Sequence, residues 1–162
     1  MTEKEMFLQA WEREFQTTLK VLKAYPANML DFKPHERSRS AKDLAWNFAS
    51  EEQALIGGAL KGQIDFQNLP KPPSTFPEII RAYETSHKEM VEKVKRLNDD
   101  EFNKLIKFNT GPKQVSDLRK ADIFWTGIMD TIHHRGQFSV YLRMAGGKVP
   151  SIYGPSADEP WM

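Results

Sequence analysis

The chain has 162 residues, of which 40% are apolar and 28% are charged, a size and composition that suit one domain. The 23 Lys and Arg residues nearly balance the 22 Asp and Glu residues, and there is no cysteine. This composition excludes disulfide bonds, thiolate-bound zinc, iron–sulfur clusters and a cysteine nucleophile. We therefore expect residues 1–162 to form a single domain whose chemistry uses oxygen and nitrogen groups.

The amino terminus and the hydropathy pattern predict where the protein resides. Residues 1–6 carry charges of both signs and lack the basic-then-apolar order of a secretion signal. The longest stretch without Asp, Glu, Lys or Arg, residues 149–157, is far too short to span a membrane. We expect a cytoplasmic protein that does not bind a membrane.

Two amphipathic helices are predicted in the first part of the chain. Apolar residues recur at helical spacing over residues 2–23, where Thr2 and Glu5 have the spacing of a capping box. After a connector, Ser40 is suited to cap a second helix that extends to about Lys61. This second helix is expected to bury five apolar side chains, namely Leu44, Phe48, Leu55, Ile56 and Ala59.

A long crossover and a third helix come next. Residues 62–74 include three prolines, which favours a crossover loop over a hairpin. Thr75 and Glu78 form a second capping-box pair at the start of a helix whose apolar face includes His87. We expect His87 to be buried and hydrogen-bonded instead of acting as a ligand. Residues 105–112 are expected to form either a short strand pair or an ordered loop.

The last long helix is predicted to begin near Ser116 and to end at the Gly146–Gly147 pair. The tail, residues 149–162, has no helical period but carries Ile152, Tyr153 and Trp161, so we expect it to pack back on the body. Four long amphipathic helices joined by unequal loops indicate an all-α fold. The prediction is a four-helix bundle with at least one long crossover.

Asp130 and His134 are the candidate functional pair. Residues four apart on a helix lie on adjacent turns of one face with Cβ atoms about 5–6 Å apart, so this carboxylate and imidazole could bind one divalent cation. Two such ligands are too few for tight binding, and a third would come from another helix. A simple hydrogen-bonded pair is the alternative.

Gly136 and Arg135 also lie in this helix. Glycine in a helix interior costs about 1 kcal/mol relative to alanine, so Gly136 predicts close packing of a neighbouring helix. Arg135 could bind either a loop or an acidic substrate, and the sequence does not decide between them.

Three segments carry a family resemblance. They are DTIHHRGQ at residues 130–137, YGPSADE at residues 153–159, and FKPHERSRSAKDLAWN at residues 32–47. Together they resemble the DinB/YfiT-like superfamily, and the resemblance extends over nearly the whole chain. It implies a four-helix bundle in up-down-down-up order and, as members are often dimeric, a homodimer.

The resemblance also implies a divalent-metal site with one ligand on the second helix and two on the last. Carried onto this sequence, the ligands are Asn47, Asp130 and His134. The family usually has histidine where this chain has Asn47, and an amide oxygen is a weaker donor than imidazole. The three residues together do not distinguish among zinc, nickel, manganese and iron. Glu51, one turn after Asn47, is a candidate ligand, a candidate catalytic base or a solvated acid. Gln137 is a second candidate catalytic residue.

Two functions from different classes follow. The first is a metal-dependent enzyme with a small-molecule substrate, either a hydrolase or a transferase or isomerase that uses a low-molecular-weight thiol as cosubstrate. The second is a non-catalytic, stress-related bundle with a degenerate metal site, acting as a binding protein or dimeric scaffold, and Asn47 is the feature that favours it. Near-neutral charge and the absence of a basic stripe predict no contact with nucleic acid.

Overall fold

The computed structural model describes residues 1–162 and has four long helices, confirming the predicted bundle. In chain order the elements are α1 (Glu3–Lys23), α2 (Ala41–Glu52), a π-helical turn (Gln53–Gly57), α3 (Gly58–Lys61), α4 (Phe76–Lys95), α5 (Asp99–Asn103), β1 (Leu105–Gly111), β2 (Gln114–Arg119) and α6 (Lys120–Met144). None of the helices combines the length and the apolar character needed to cross a bilayer.

The helix directions follow from successive side-chain contacts. Phe48 packs against Tyr83 and Glu52 bonds to His87, so α2 and α4 run in the same direction and the long connection 62–75 must return along the bundle. Equivalent contacts show that α1 is antiparallel to α4 and parallel to α6. At the α4 side, Lys23 pairs with Glu84 and Lys4 bonds to Leu97, just after the end of α4. At the α6 side, Phe7 stacks on Phe124 and Glu14 pairs with Arg135. This is the up-down-down-up order.

The helix starts are set by capping side chains, as predicted. Thr2 and Thr75 each form a complete capping box, and the Ser40 side chain accepts a hydrogen bond from the backbone N–H of Asp43. The second helical segment reaches Lys61 as expected, although the π-helical turn interrupts it after Glu52. Gly62, at a φ of 81°, ends it in the left-handed conformation that glycine adopts without strain.

A β-hairpin precedes the last helix. β1 and β2 are antiparallel, with Phe108 opposite Ser116 and Lys107 opposite Asp117. The predicted helix start at Ser116 is therefore wrong, and α6 begins at Lys120. The cause is the antiparallel pairing of residues 114–119 with β1, which outweighs the local helix-start pattern.

Two apolar clusters fill the two ends of the bundle, and a layer of buried polar residues separates them. One cluster includes Phe15, Phe48, Tyr83 and Phe138, and the other includes Trp11, Leu55, Met90 and Ile128. On each long helix, buried polar side chains lie between the two sets, namely Glu14, Ser50, Glu52, Ser86, His87 and Arg135. We call these six residues the polar layer. It runs across the middle of the bundle.

One expectation about packing is wrong and another is confirmed. A Cβ atom placed on Gly136 would meet no atom within 4 Å, so this glycine does not serve close packing between helices of this chain. The tail does return to the body, since Lys20 pairs with Glu159 at 2.7 Å. Ile152 packs against the apolar core. Tyr153 and Trp161 stay 62% and 65% exposed, so the tail is held by Ile152 and by polar contacts more than by burial of its aromatic rings.

Candidate metal centre

Glu51, Asp130 and His134 come together at the level of the polar layer. Glu51 is in the last turn of α2, and the other two lie four residues apart on α6, so antiparallel packing of these helices brings three donors to one point. One ligand atom from each lies within 4.8 Å of the others, and His134 Nε2 is 3.4 Å from both Glu51 Oε2 and Asp130 Oδ1. All three side chains are partly buried. The predicted Asp130–His134 pair is thus joined by Glu51.

The electrostatics of this cluster reflect two carboxylates placed close together. Burial raises the pKa of Asp130 to about 7, and the neighbouring Glu51 adds to this increase. Burial acts in the same direction on Glu51, but contacts with His134 and Asp130 outweigh it and lower the pKa of Glu51. The hydrogen-bonding contact with Glu51 raises the pKa of His134. Positive charge at this point therefore relieves an unfavourable pairing of carboxylates.

Asn47 lies one turn before Glu51 on α2 and is 8% exposed. Its Oδ1 atom accepts a hydrogen bond of 2.8 Å from Arg39 Nη1, and its buried Nδ2 atom has no hydrogen-bond partner. The oxygen that would bind a metal is thus already engaged by a cation. The assignment of Asn47 as a ligand stays a prediction.

Gln137 contacts both neighbouring histidines on α6. Its Oε1 atom is 3.3 Å from His134 Nδ1, and its Nε2 atom is 2.8 Å from His133 Nε2. Hydrogen bonding on the Nδ1 side of His134 leaves the Nε2 side facing the two carboxylates, an arrangement typical of metal-binding histidines. Gln137 is therefore placed to orient His134. A catalytic role of Gln137 stays a prediction.

A cavity of about 530 Å³ opens beside the cluster. His134 belongs to both, which connects the cavity to the candidate metal centre. The lining residues come from the connector before α2, from α2 and from α6. They are Ser38, Arg39, Leu44, His134, Gln137, Val140 and Tyr141.

Arg135 binds to a loop and a neighbouring helix, which answers the question that the sequence left open. Its Nη2 atom is 2.8 Å from Glu14 Oε2 and donates to the hydroxyl of Tyr153 at 2.6 Å, while Nη1 donates to the Thr18 hydroxyl. Arg135 and Glu14 are each 2% exposed. This ion pair joins α1, α6 and the tail directly behind His134.

His87 is buried and hydrogen-bonded, as predicted. Its Nδ1 atom is 3.0 Å from Glu52 Oε2, its Nε2 atom is 3.2 Å from Glu12 Oε2, and its ring stacks on Phe15. Glu52 also accepts a hydrogen bond from Trp11 Nε1. Adjacent acids on α2 therefore have different surroundings, with Glu51 at the cavity side and Glu52 inside the core.

The donor set fits a divalent cation. Two carboxylates and one imidazole are ligands for first-row transition metals, and the proximity of the carboxylates is unfavourable without a cation.

Sequence reasoning identified Glu51 only as one of several alternatives, because the helical spacing does not show which turn of α2 faces α6. It missed Arg39 and Glu14, for which no local motif gives a signal.

Comparisons with known proteins agree with this architecture. The profile of the DinB family matches residues 1–161. The chain is 26% identical over 155 residues to the uncharacterized protein YrdA of Bacillus subtilis, covering 94% of this chain and 89% of that protein.

Two solved structures are similar over almost their full length. A DinB-like protein from Bacillus cereus matches with a TM-score of 0.78 and 25% identity, covering 92% of this chain and 97% of the other. The DinB-like protein YjoA from Bacillus subtilis matches with a TM-score of 0.74 and 17% identity, covering 91% and 97%. The second likeness is one of fold.

Proposed function

The chain belongs to the DinB family, and from this premise we propose that it is a divalent-metal-dependent enzyme that acts on a small molecule. The observation that carries the proposal is the meeting of Glu51, Asp130 and His134 beside an open cavity. In bundle metalloproteins, ligands likewise come from facing helices, and an open side of the site is what allows a substrate to approach.

The protein residues have distinct roles in this proposal. Glu51, Asp130 and His134 would hold the ion, and Gln137 would keep the His134 ring in its orientation. A divalent ion supplies Lewis-acid chemistry, polarising a carbonyl group and making a hydroxyl or thiol easier to deprotonate. The reaction classes are hydrolysis, or transfer or isomerisation with a low-molecular-weight thiol. Because the chain has no cysteine, the thiol would be a cosubstrate.

The non-catalytic alternative depends on Asn47 being a poor substitute for histidine. Glu51 weakens this alternative because it offers a third, anionic donor without any help from Asn47. The hydrogen bond from Arg39 to Asn47 points the same way, since it gives the amide oxygen a partner other than a metal. These contacts support the enzyme hypothesis over a bundle with a degenerate site.

Metal content of the purified protein, measured by elemental analysis, tests the proposal. We expect stoichiometric zinc, nickel, manganese or iron in the wild type and its loss in Glu51→Ala, Asp130→Ala and His134→Ala. His35→Ala is the control, because His35 is an exposed histidine of the connector before α2 whose ring accepts a hydrogen bond from the Arg37 backbone and makes none to the cluster. A metal-free wild type whose thermal midpoint ignores added metals would overturn the proposal.

The variant Asn47→His tests the remaining ligand assignment. If Asn47 faces the ion, imidazole in its place should tighten binding, measured by competition with a chromogenic chelator. Unchanged affinity would show that Glu51 alone completes the set from α2.

A further inference from the structure

Arg39 is an exposed cation at the wall of the cavity that forms no ion pair, although its charge acts on the nearby Asp130. Its only side-chain hydrogen bond is the one that Nη1 donates to Asn47 Oδ1. Four arginines pair with a carboxylate, namely Arg13, Arg119, Arg135 and Arg143. Arg39 shares the lack of an ion pair with Arg37, Arg81 and Arg96, but of these four only Arg39 lines the cavity. A guanidinium group has five N–H donors in a planar fork, so most of those of Arg39 are available to a ligand.

The position of Arg39 is held from both ends of the residue. Its backbone carbonyl accepts a hydrogen bond of 3.0 Å from the Tyr141 hydroxyl on α6, and its guanidinium is tethered to Asn47 on α2. The next residue, Ser40, is the N-cap of α2. These contacts place the cation beside the cavity in advance, which reduces the ordering cost of binding an anion.

The rest of the cavity has a mixed character. Leu44 and Val140 contribute apolar surface, whereas His134 and Gln137 form the side that leads to the candidate metal centre. Its volume of about 530 Å³ falls in the range typical of small-molecule sites. A ligand that fills it would bring an apolar body, one group for Arg39 and one group near His134.

We propose that this cavity binds a small monocarboxylate, with the carboxylate on Arg39 and the apolar body between Leu44 and Val140. The inference deepens the proposed function, on which it rests for treating the ligand as a substrate. The planar guanidinium fork matches a carboxylate in a bidentate pair. In the metal-free protein a phosphate dianion is disfavoured relative to a carboxylate, because Glu51 and Asp130 lie close to the same cavity and would repel its second charge.

Isothermal titration calorimetry at low ionic strength tests this with two probes of nearly equal shape, benzoate and benzamide. The wild type should bind benzoate about two- to fivefold more tightly than benzamide, since an ion pair with an exposed arginine contributes up to about 1 kcal/mol. Arg39→Met should abolish this preference. Arg37→Met is the control, because Arg37 is an exposed arginine of the same connector that does not line the cavity.

The titrations are run both on chelator-treated protein and on protein given zinc, and metal content is measured separately. Absence of metal would count against the proposed function, whereas the benzoate preference and its dependence on Arg39 are measured in either form. Equal binding of benzoate and benzamide, no benzoate binding, or equal losses in the two arginine variants would overturn the inference. So would tighter binding of phenyl phosphate than of benzoate to the chelator-treated protein.

Discussion

Gly127 and Gly136 on α6 provide a paired test of the packing described above. A Cβ atom on Gly136 meets nothing within 4 Å, whereas one on Gly127 would lie 3.3 Å from Ile56 Cδ1 and 3.8 Å from Leu55 Cβ. Alanine is about 0.8–1 kcal/mol better than glycine in a helix interior. Gly136→Ala should therefore gain nearly this full amount, which corresponds to a rise in Tm of roughly 2–4 °C for a chain of this size.

Gly127→Ala has the same gain in helix propensity but a different environment. Ile56 is 1% exposed and packed in the core, so it has little freedom to move away from the new methyl group. Overpacking of this kind costs about 1–3 kcal/mol, which offsets the propensity gain. We expect Gly127→Ala to be neutral or destabilising, with a gap of at least about 1 kcal/mol between the two variants.

Urea denaturation followed by circular dichroism measures both variants, with thermal melts as a second readout. Equal stabilisation of the two would refute the contact reasoning. A loss of stability in Gly136→Ala would show that something covers this exposed side of α6, where Met129 and Met144 are 65% and 54% exposed. Light scattering on the same samples would then show whether a second copy of the chain is responsible, which bears on the expected homodimer.

Two further predictions concern the buried pair of Arg135 and Glu14. Arg135→Met should lower the free energy of unfolding by about 3–5 kcal/mol, because it leaves the buried carboxylate of Glu14 without its partner. Adding Glu14→Leu should restore part of this loss, as measured by urea titrations at pH 7. No recovery would show that the ion pair is not the cause. Burial alone would raise the pKa of Glu14, but hydrogen bonds from Tyr153 and Arg135 outweigh it and hold this pKa below its ordinary value of 4.5. The stabilisation is therefore complete above pH 4.5 and is lost as the pH falls through the lowered pKa, so Glu14→Gln should show a shallower loss of stability in acid, and an equally steep loss would contradict this.

Features with a local cause were predictable from the sequence. Thr2, Ser40 and Thr75 begin helices because a side-chain oxygen can satisfy the N–H groups of the first turn, and this requires only neighbouring residues. Asp130 and His134 share a face because they are four residues apart on one helix. Both kinds of prediction were confirmed because they depend on geometry within a single element.

Features that depend on distant residues were not predictable in the same way. Ser116 has a helix-start pattern, yet pairing with β1 places it in a strand. Glu51 was one alternative among several until the packing of α2 against α6 set it beside His134. Arg135 finds Glu14 and Tyr153, residues far from it in the chain, so no local motif could identify its partners.

The polar layer has a consequence for how the four helices are aligned along the bundle axis. Apolar contacts alone tolerate sliding, because one leucine or phenylalanine can replace another as a neighbour. A slip of one turn, about 5.4 Å, would instead carry Glu52 or Arg135 into apolar surroundings without a partner, at a large cost in free energy. Charged residues that reduce apolar burial thereby fix the axial alignment of α2 and α6. Glu51 lies opposite Asp130 and His134 because the next residues, Glu52 and Arg135, bond to α1 and α4 in the bundle interior, away from the cavity lining.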